Sequence, residues 1–212
     1  MTEASSRKPL VVLVADKDMR FAVMGVLGRW QALGIRELAP APDIHVHPHR
    51  DPGCLNRAHE FLRPFCRQYD HALVVFDHEG SGAERRTREQ VEKDVEGRLS
   101  VSGWGDRAAA VVVEPELEAW VWSDSPHVET TLGWQGREPG LREWLLREHF
   151  LGEGEVKPSR PKEAMETAIR LAKKPRSAVL FSQLAASLSL RRCEDQAFKK
   201  LTRLLRQWFP RE

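Results

Sequence analysis

Three groups of carboxylates stand where apolar runs of this chain come to an end. Asp16 and Asp18 follow the run at residues 10–15, Asp77 and Glu79 follow residues 72–76, and Glu114, Glu116 and Glu118 follow residues 108–113. In an open parallel sheet the crossover loops gather beyond the carboxyl ends of the strands, and ligands bind there. Neighbouring strands lie about 4.8 Å apart, so acids at adjacent strand ends come within reach of one another. A carboxylate set without thiols is a hard-oxygen site of the kind that suits Mg²⁺ or Mn²⁺. Without a cation, such acids repel one another and their pKa values rise. Strand-end acids also serve as helix caps: either Asp16 or Asp18 can cap the helix that follows, and Asp18 is most simply read that way. A cap is a weaker account of Asp77-His78-Glu79-Gly80-Ser81-Gly82. Its two acids alternate and share a side, and the small residues after them let a ligand approach the backbone.

The elements that must position these acids can be read from the same text. Residues 10–15, Leu-Val-Val-Leu-Val-Ala, form a continuous apolar run, as expected of a strand buried on both faces. Phe21, Met24, Leu27 and Trp30 recur at helical spacing over residues 19–33, and Gly34 ends the helix. A short strand is expected around Ile44–His47, with Asp51-Pro52-Gly53 as a turn and a helix over residues 55–67. After the strand at 72–76, a charged helix is expected over 83–99. A strand at 108–113 follows, and Pro115 would then stand at the first position of a helix. Strands alternating with helices imply βαβ crossovers and a mainly parallel sheet. The expected fold class is therefore α/β, with a central sheet flanked by helices. Residues 1–124 form the core, and residues 125–212 form a helical C-terminal extension packed on it. Within that extension 123–140 reads as loop, followed by helices near 141–150, 161–172, 177–187 and 194–208.

Composition narrows the classes. At 212 residues, 41% hydrophobic and 30% charged, the chain has room for one ordinary core. No run of about 18 apolar residues is present, and the N-terminal stretch is polar, so a soluble cytoplasmic protein that spans no membrane is expected. Cys54, Cys66 and Cys193 lack CxxC spacing, which argues against a disulfide frame or a cysteine zinc site. The net charge is only +2, but the stretch from Lys157 onward is rich in Lys and Arg. Lys157, Lys199, Lys200 and Arg203 there are candidates for contact with a phosphate backbone; solvated helix faces have the same composition.

An apolar strand ending in Asp77-His78-Glu79, preceded by a first strand that also ends in an acid, resembles the Toprim fold of topoisomerases, primases and defence nucleases. The segment Glu116-Leu117-Glu118-Ala119-Trp120, followed by Asp124, resembles the Glu-Ile-Glu-x-Trp signature of a bacterial Toprim-like family of unknown function, often encoded with anti-phage defence genes. Lys157-Pro158 and the C-terminal helices resemble that family's later region. Arg50-Asp51-Pro52-Gly53 together with residues 76–82 looks closest to a small component of methylation-associated defence systems. The resemblance implies Mg²⁺ or Mn²⁺ held by Asp16, Asp77, Glu79 and Glu118, nucleic acid as substrate, phosphodiester cleavage, and other defence-system proteins as partners. It departs at one point. Catalytic Toprim domains end the first strand in glutamate and glycine, whereas here the text is Ala15-Asp16-Lys17-Asp18. That departure supports an alternative, a catalytically inactive Toprim-like subunit that binds a partner protein. The absence of a P-loop counts against NTP hydrolysis.

Two further groups have simpler readings. His45, His47 and His49 alternate on a strand and so share a face, which would suit Zn²⁺ or Ni²⁺. Pro48 disturbs the third and no fourth ligand is close in sequence, so packed or surface histidines are expected. Trp120 is expected in the core, with a base-stacking platform as the alternative.

Overall fold

A computed structural model describes residues 7–122, 126–175, 177, 180–183 and 195–211. Asp124, Arg191, Arg192, Cys193 and most of the helix expected at 177–187 lie outside the described residues.

The centre is a four-stranded, all-parallel sheet in the order β2-β1-β3-β4. The strands are β1 (Lys8–Val14), β2 (Asp43–Val46), β3 (Tyr69–Asp77) and β4 (Ala108–Val113). The apolar runs expected from sequence are buried because helices cover both faces. Val12, Val14, Val75 and Val113 join one apolar cluster, and Val11, Leu13, Val74, Phe76 and Val112 join the other. Alternate residues thus feed opposite layers, as the two-residue period of a strand requires.

On the first face lie α1 (Lys17–Leu27), α2 (Trp30–Leu33) and the C-terminal helices α5 (Pro126–Leu132), α6 (Leu141–Arg147), α7 (Pro161–Leu171) and α8 (Gln196–Trp208). On the second face lie α3 (Arg50–Leu62) and α4 (Arg88–Leu99). The helical C-terminal part shares an apolar cluster with the strands, so it packs directly on the sheet.

Several boundaries differ from expectation for local reasons. The first helix stops at Gly28, and the short α2 ends at Gly34, whose φ of 73° is the left-handed conformation that glycine adopts without strain. Asp51-Pro52-Gly53 is the opening of α3 rather than a free turn, since a proline in the first helical turn removes no intrahelical hydrogen bond. The charged helix starts five residues late. Thr87 caps it, its Oγ1 accepting the Gln90 N–H while Gln90 Oε1 accepts the Thr87 N–H, and this reciprocal pair fixes the start. After β4 the chain makes only a 3₁₀ turn, Leu117–Trp120, because Glu116 is extended and held by its side chain elsewhere. Helix α5 occupies a stretch that reads as loop in the sequence.

β4 is an edge strand, and two carboxylates cover its free edge. Glu96 accepts the Ala110 N–H and Glu92 accepts the Val112 N–H, each at 3.0 Å. Lys200 of α8 bridges both acids at 3.1 and 2.7 Å. The edge is thereby closed to a further strand.

Candidate functional site at the carboxyl edge of the sheet

β1 and β3 are adjacent and parallel, with Val14 opposite Val75, so Asp16 and Asp77 emerge from neighbouring strands on the same edge. The end of β3 leans on β4, because His78 N–H donates to Val113 and Glu79 N–H donates to Pro115. The Asp77 N–H turns the other way and donates to Oδ1 of Asp51 at 2.8 Å. Asp51 arrives from the first turn of α3, just after Arg50, whose φ of 47° lies in the left-handed region.

Asp77 is half-buried, and its Oδ1 is fully buried without a hydrogen-bond partner. Burial pushes its carboxyl well above the ordinary range, and the charges of Asp51, Glu118, Asp16 and Glu116 add to the shift in that order. Asp51 is raised too, first by burial and then by Asp16, against the hydrogen bond from Asp77. Cys54, one turn along α3, is buried beside them. Its thiol is pushed up mainly by burial, with contributions from Asp51, Asp16 and Asp77. The mutual repulsion expected of a metal-free carboxylate cluster is therefore present among these groups. A carboxyl raised in this way holds a proton that an ordinary aspartate gives up.

The expected site residues divide into three sets. Asp16, Asp77 and Glu118 come together electrostatically, with Glu118 buried in the 3₁₀ turn after β4. Asp16 also caps α1, accepting the Met19 N–H at 2.8 Å, so of the two acids the sequence offers for the cap it is Asp16 that serves. Glu79 stands apart. It is exposed, and its charge acts on Glu116 rather than on Asp77. Asp51 is the member that sequence reasoning passed over. The available signal was an acid in the connection that follows a short strand, five residues past Val46 and so farther from its strand end than Asp16 or Asp77.

The Glu-x-Glu-x-Trp segment is spent largely on architecture. Glu116 is raised by burial and accepts the Lys162 N–H at 3.0 Å, so it sits at the N-terminus of α7. The Trp120 indole donates to Asp195 at 3.0 Å, and Asp195 also caps α8 and pairs with Lys157. Trp120 is 2% exposed and packs edge-on against Phe198, which makes it a core residue, as expected. Of this segment, Glu118 acts more strongly on Asp77 than Glu116 does.

No protein-family model, curated protein or solved structure matches this chain. The chemistry of the cleft therefore rests on its own donors. All are carboxylates, the right kind for a hard cation, and Asp77 offers an oxygen without a partner. Their positions do not make a cage. Among the described residues no group of three or more His, Cys, Asp or Glu side chains is arranged to hold a metal ion. The same holds for the histidine series: His45 stacks on Phe65, and His47 packs against Phe61 and over Gly53.

The rim of the cleft is open. Gly80 and Gly82 have φ of 78° and 88°, and nothing lies within 4 Å of where a Cβ would stand on either. Between them Ser81 is buried, its hydroxyl donating to the His78 carbonyl and accepting the Ala83 N–H. The loop is therefore ordered from inside, with open space beside both glycines, while the Gly82 N–H donates to the Glu84 carboxylate at 3.1 Å.

The basic candidates are distributed differently. Lys157 pairs with Asp195, and Lys200 pairs with Glu92 and Glu96, so both charges are neutralised within the fold. Lys199 and Arg203 lie on α8, and Arg203 is exposed. Among the described residues no helix is long and apolar enough to cross a membrane.

Proposed function

We propose that this chain is a Toprim-like component of a bacterial anti-phage defence system, cytoplasmic and acting on nucleic acid at the acidic carboxyl edge of its sheet. One observation carries the reading. β1 and β3 are adjacent and parallel, and the acids at their ends, Asp16 and Asp77, share one electrostatic cluster with Asp51 and Glu118. An antiparallel pairing, or separate sheets, would have ended it. The open space beside Gly80 and Gly82 supports access for a ligand backbone. Since the acids do not form a three-ligand group, binding is better supported than cleavage, and Mg²⁺ or Mn²⁺ dependence is a matter for experiment.

A second reading is favoured by particular contacts: a catalytically inactive Toprim-like subunit that binds a partner protein of the same system. Asp16 is engaged as a helix cap, and Lys157 and Lys200 are engaged in ion pairs within the chain. Fluorescence anisotropy with labelled DNA and RNA at low salt, in Mn²⁺, in Mg²⁺ and in EDTA, separates the two. The leading reading expects salt-dependent binding. It also expects any strand cleavage to be metal-dependent and lost in Asp77→Ala. A chain that neither binds nor cuts, yet co-purifies with a second protein of a defence system, supports the inactive subunit.

A further inference from the structure

The end of the sheet opposite the acidic cleft carries the opposite charge. Arg7 directly precedes β1, Arg63 and Arg67 lie on and just after the 3₁₀ turn that leads into β3, and Arg107 directly precedes β4. Those three strands are parallel neighbours, so the residues before them meet at one edge. They line a pocket of about 680 Å³ floored by Cys66, Ser102 and Gly103. β3 is nine residues long, which puts this pocket roughly 26 Å from Asp77 at about 3.3 Å per residue.

The four arginines are not equivalent. Arg107 is half-buried and spends its guanidinium on the fold. Nη1 donates to the carbonyls of Tyr69 and Asp70, Nη2 donates to those of Cys66 and Gly103, and the group lies over the Trp104 ring at 5.2 Å. It fixes the floor and neutralises the carbonyls that would otherwise repel an anion. Arg7, Arg63 and Arg67 are exposed, and no carboxylate lines the pocket. Asp70 and Asp106, close by in sequence, are not part of its lining. Three exposed guanidinium forks around one hollow suit a group that presents several oxygens in different directions. A phosphate does so, whereas a carboxylate presents two in one plane.

We infer that this pocket at the amino edge of the sheet binds a phosphate-bearing ligand, through Arg7, Arg63 and Arg67 set on a floor held by Arg107. The inference is independent of the reading of the acidic cleft. Tripolyphosphate and a fluorescein-labelled single-stranded DNA 12-mer are the probes, titrated against the full chain at 50 mM salt. Both are expected to bind. Arg63→Gln/Arg67→Gln weakens binding at least tenfold, and the slope of log K against log salt for the DNA falls by about 0.7 for each phosphate contact removed. Arg7→Gln, made separately, acts in the same direction, and Arg147→Gln, an exposed arginine of α6 outside the pocket, changes nothing. Binding of the DNA alone assigns the phosphate to a nucleic acid, and binding of tripolyphosphate alone assigns it to a small ligand. The inference is overturned if neither probe binds or if the double variant binds as the parent does. It is also overturned if Arg147→Gln loses as much as the double variant, or if a glutamate-rich peptide binds more tightly than both probes.

Discussion

The backbone N–H of Asp77 donates to Oδ1 of Asp51 at 2.8 Å, and this one bond joins the end of β3 to the first turn of α3. It holds two carboxyls together that would otherwise separate, because each is raised by burial and both belong to one repelling set. The cleft therefore stores unfavourable charge in the folded state.

That cost has a definite sign. Asp77 is raised well above its ordinary 3.8, so the folded chain holds this proton more tightly than the unfolded chain does. The cost is absent below about pH 3.8 and grows as pH rises through the elevated folded value. Asp51 and Glu116, also raised, act in the same direction. Asp77→Asn is expected to melt at a higher temperature than the parent at pH 7, with the gap narrowing as pH falls toward 4. One pKa unit corresponds to about 1.4 kcal/mol, and each kcal/mol moves Tm by roughly 2–4 °C in a chain of this size. Thermal melts at pH 7 and pH 4 decide it. A variant that melts lower at pH 7, or a gap that does not change with pH, rules out repulsion as the cause.

The covered edge of β4 is expected to matter for stability more than for binding. Glu92 is 3% exposed and serves Val112 N–H, Arg88 and Lys200 at once. Glu92→Ala leaves a strand N–H without its acceptor and the half-buried Arg88 with Glu89 alone, at a cost of about 2 kcal/mol. Glu92→Gln keeps an acceptor for Val112 and costs less. Lys200→Glu puts a third acid between Glu92 and Glu96 and destabilises at least as much as Glu92→Ala. Urea unfolding is the measurement. A Lys200→Glu variant with the parent's midpoint would show that these ion pairs contribute nothing to the fold.

Gly53 is expected to reject even alanine. A Cβ there would stand 2.0 Å from Nδ1 of His47, whose ring is buried against Phe61. Gly53→Ala therefore forces the imidazole out of place, and overpacking of this kind costs about 1–3 kcal/mol. Shortening the partner, His47→Ala, should make the alanine tolerable, so the two substitutions together cost less than their sum. A double-mutant cycle by urea unfolding measures this, and strict additivity would remove the contact from the explanation.

Sequence periodicity alone was enough for the strands. Continuous apolar runs such as Leu10-Val11-Val12-Leu13 have no polar face to turn outward, so they must be covered on both sides, and only parallel strands between helix layers allow that. The same logic put Asp16, Asp77 and Glu118 near one edge, because parallel strands end together. What periodicity could not supply was direction beyond the strand ends. Asp51 reads as part of a turn until α3 is seen to begin at Arg50 and to point its first carboxylate at the Asp77 N–H. Glu79 reads as the partner of Asp77 until the lean of β3 on β4 carries it toward Glu116. Lys157 and Lys200 read as free charge until their partners arrive from 38 and 108 residues away in sequence. The four arginines of the opposite pocket are scattered between positions 7 and 107, and only strand order makes them neighbours. Local sequence fixes which residues alternate and where elements stop. Which charges meet is decided by long-range packing, because a side chain a few ångströms beyond a strand end goes where the next element leaves room and a hydrogen bond.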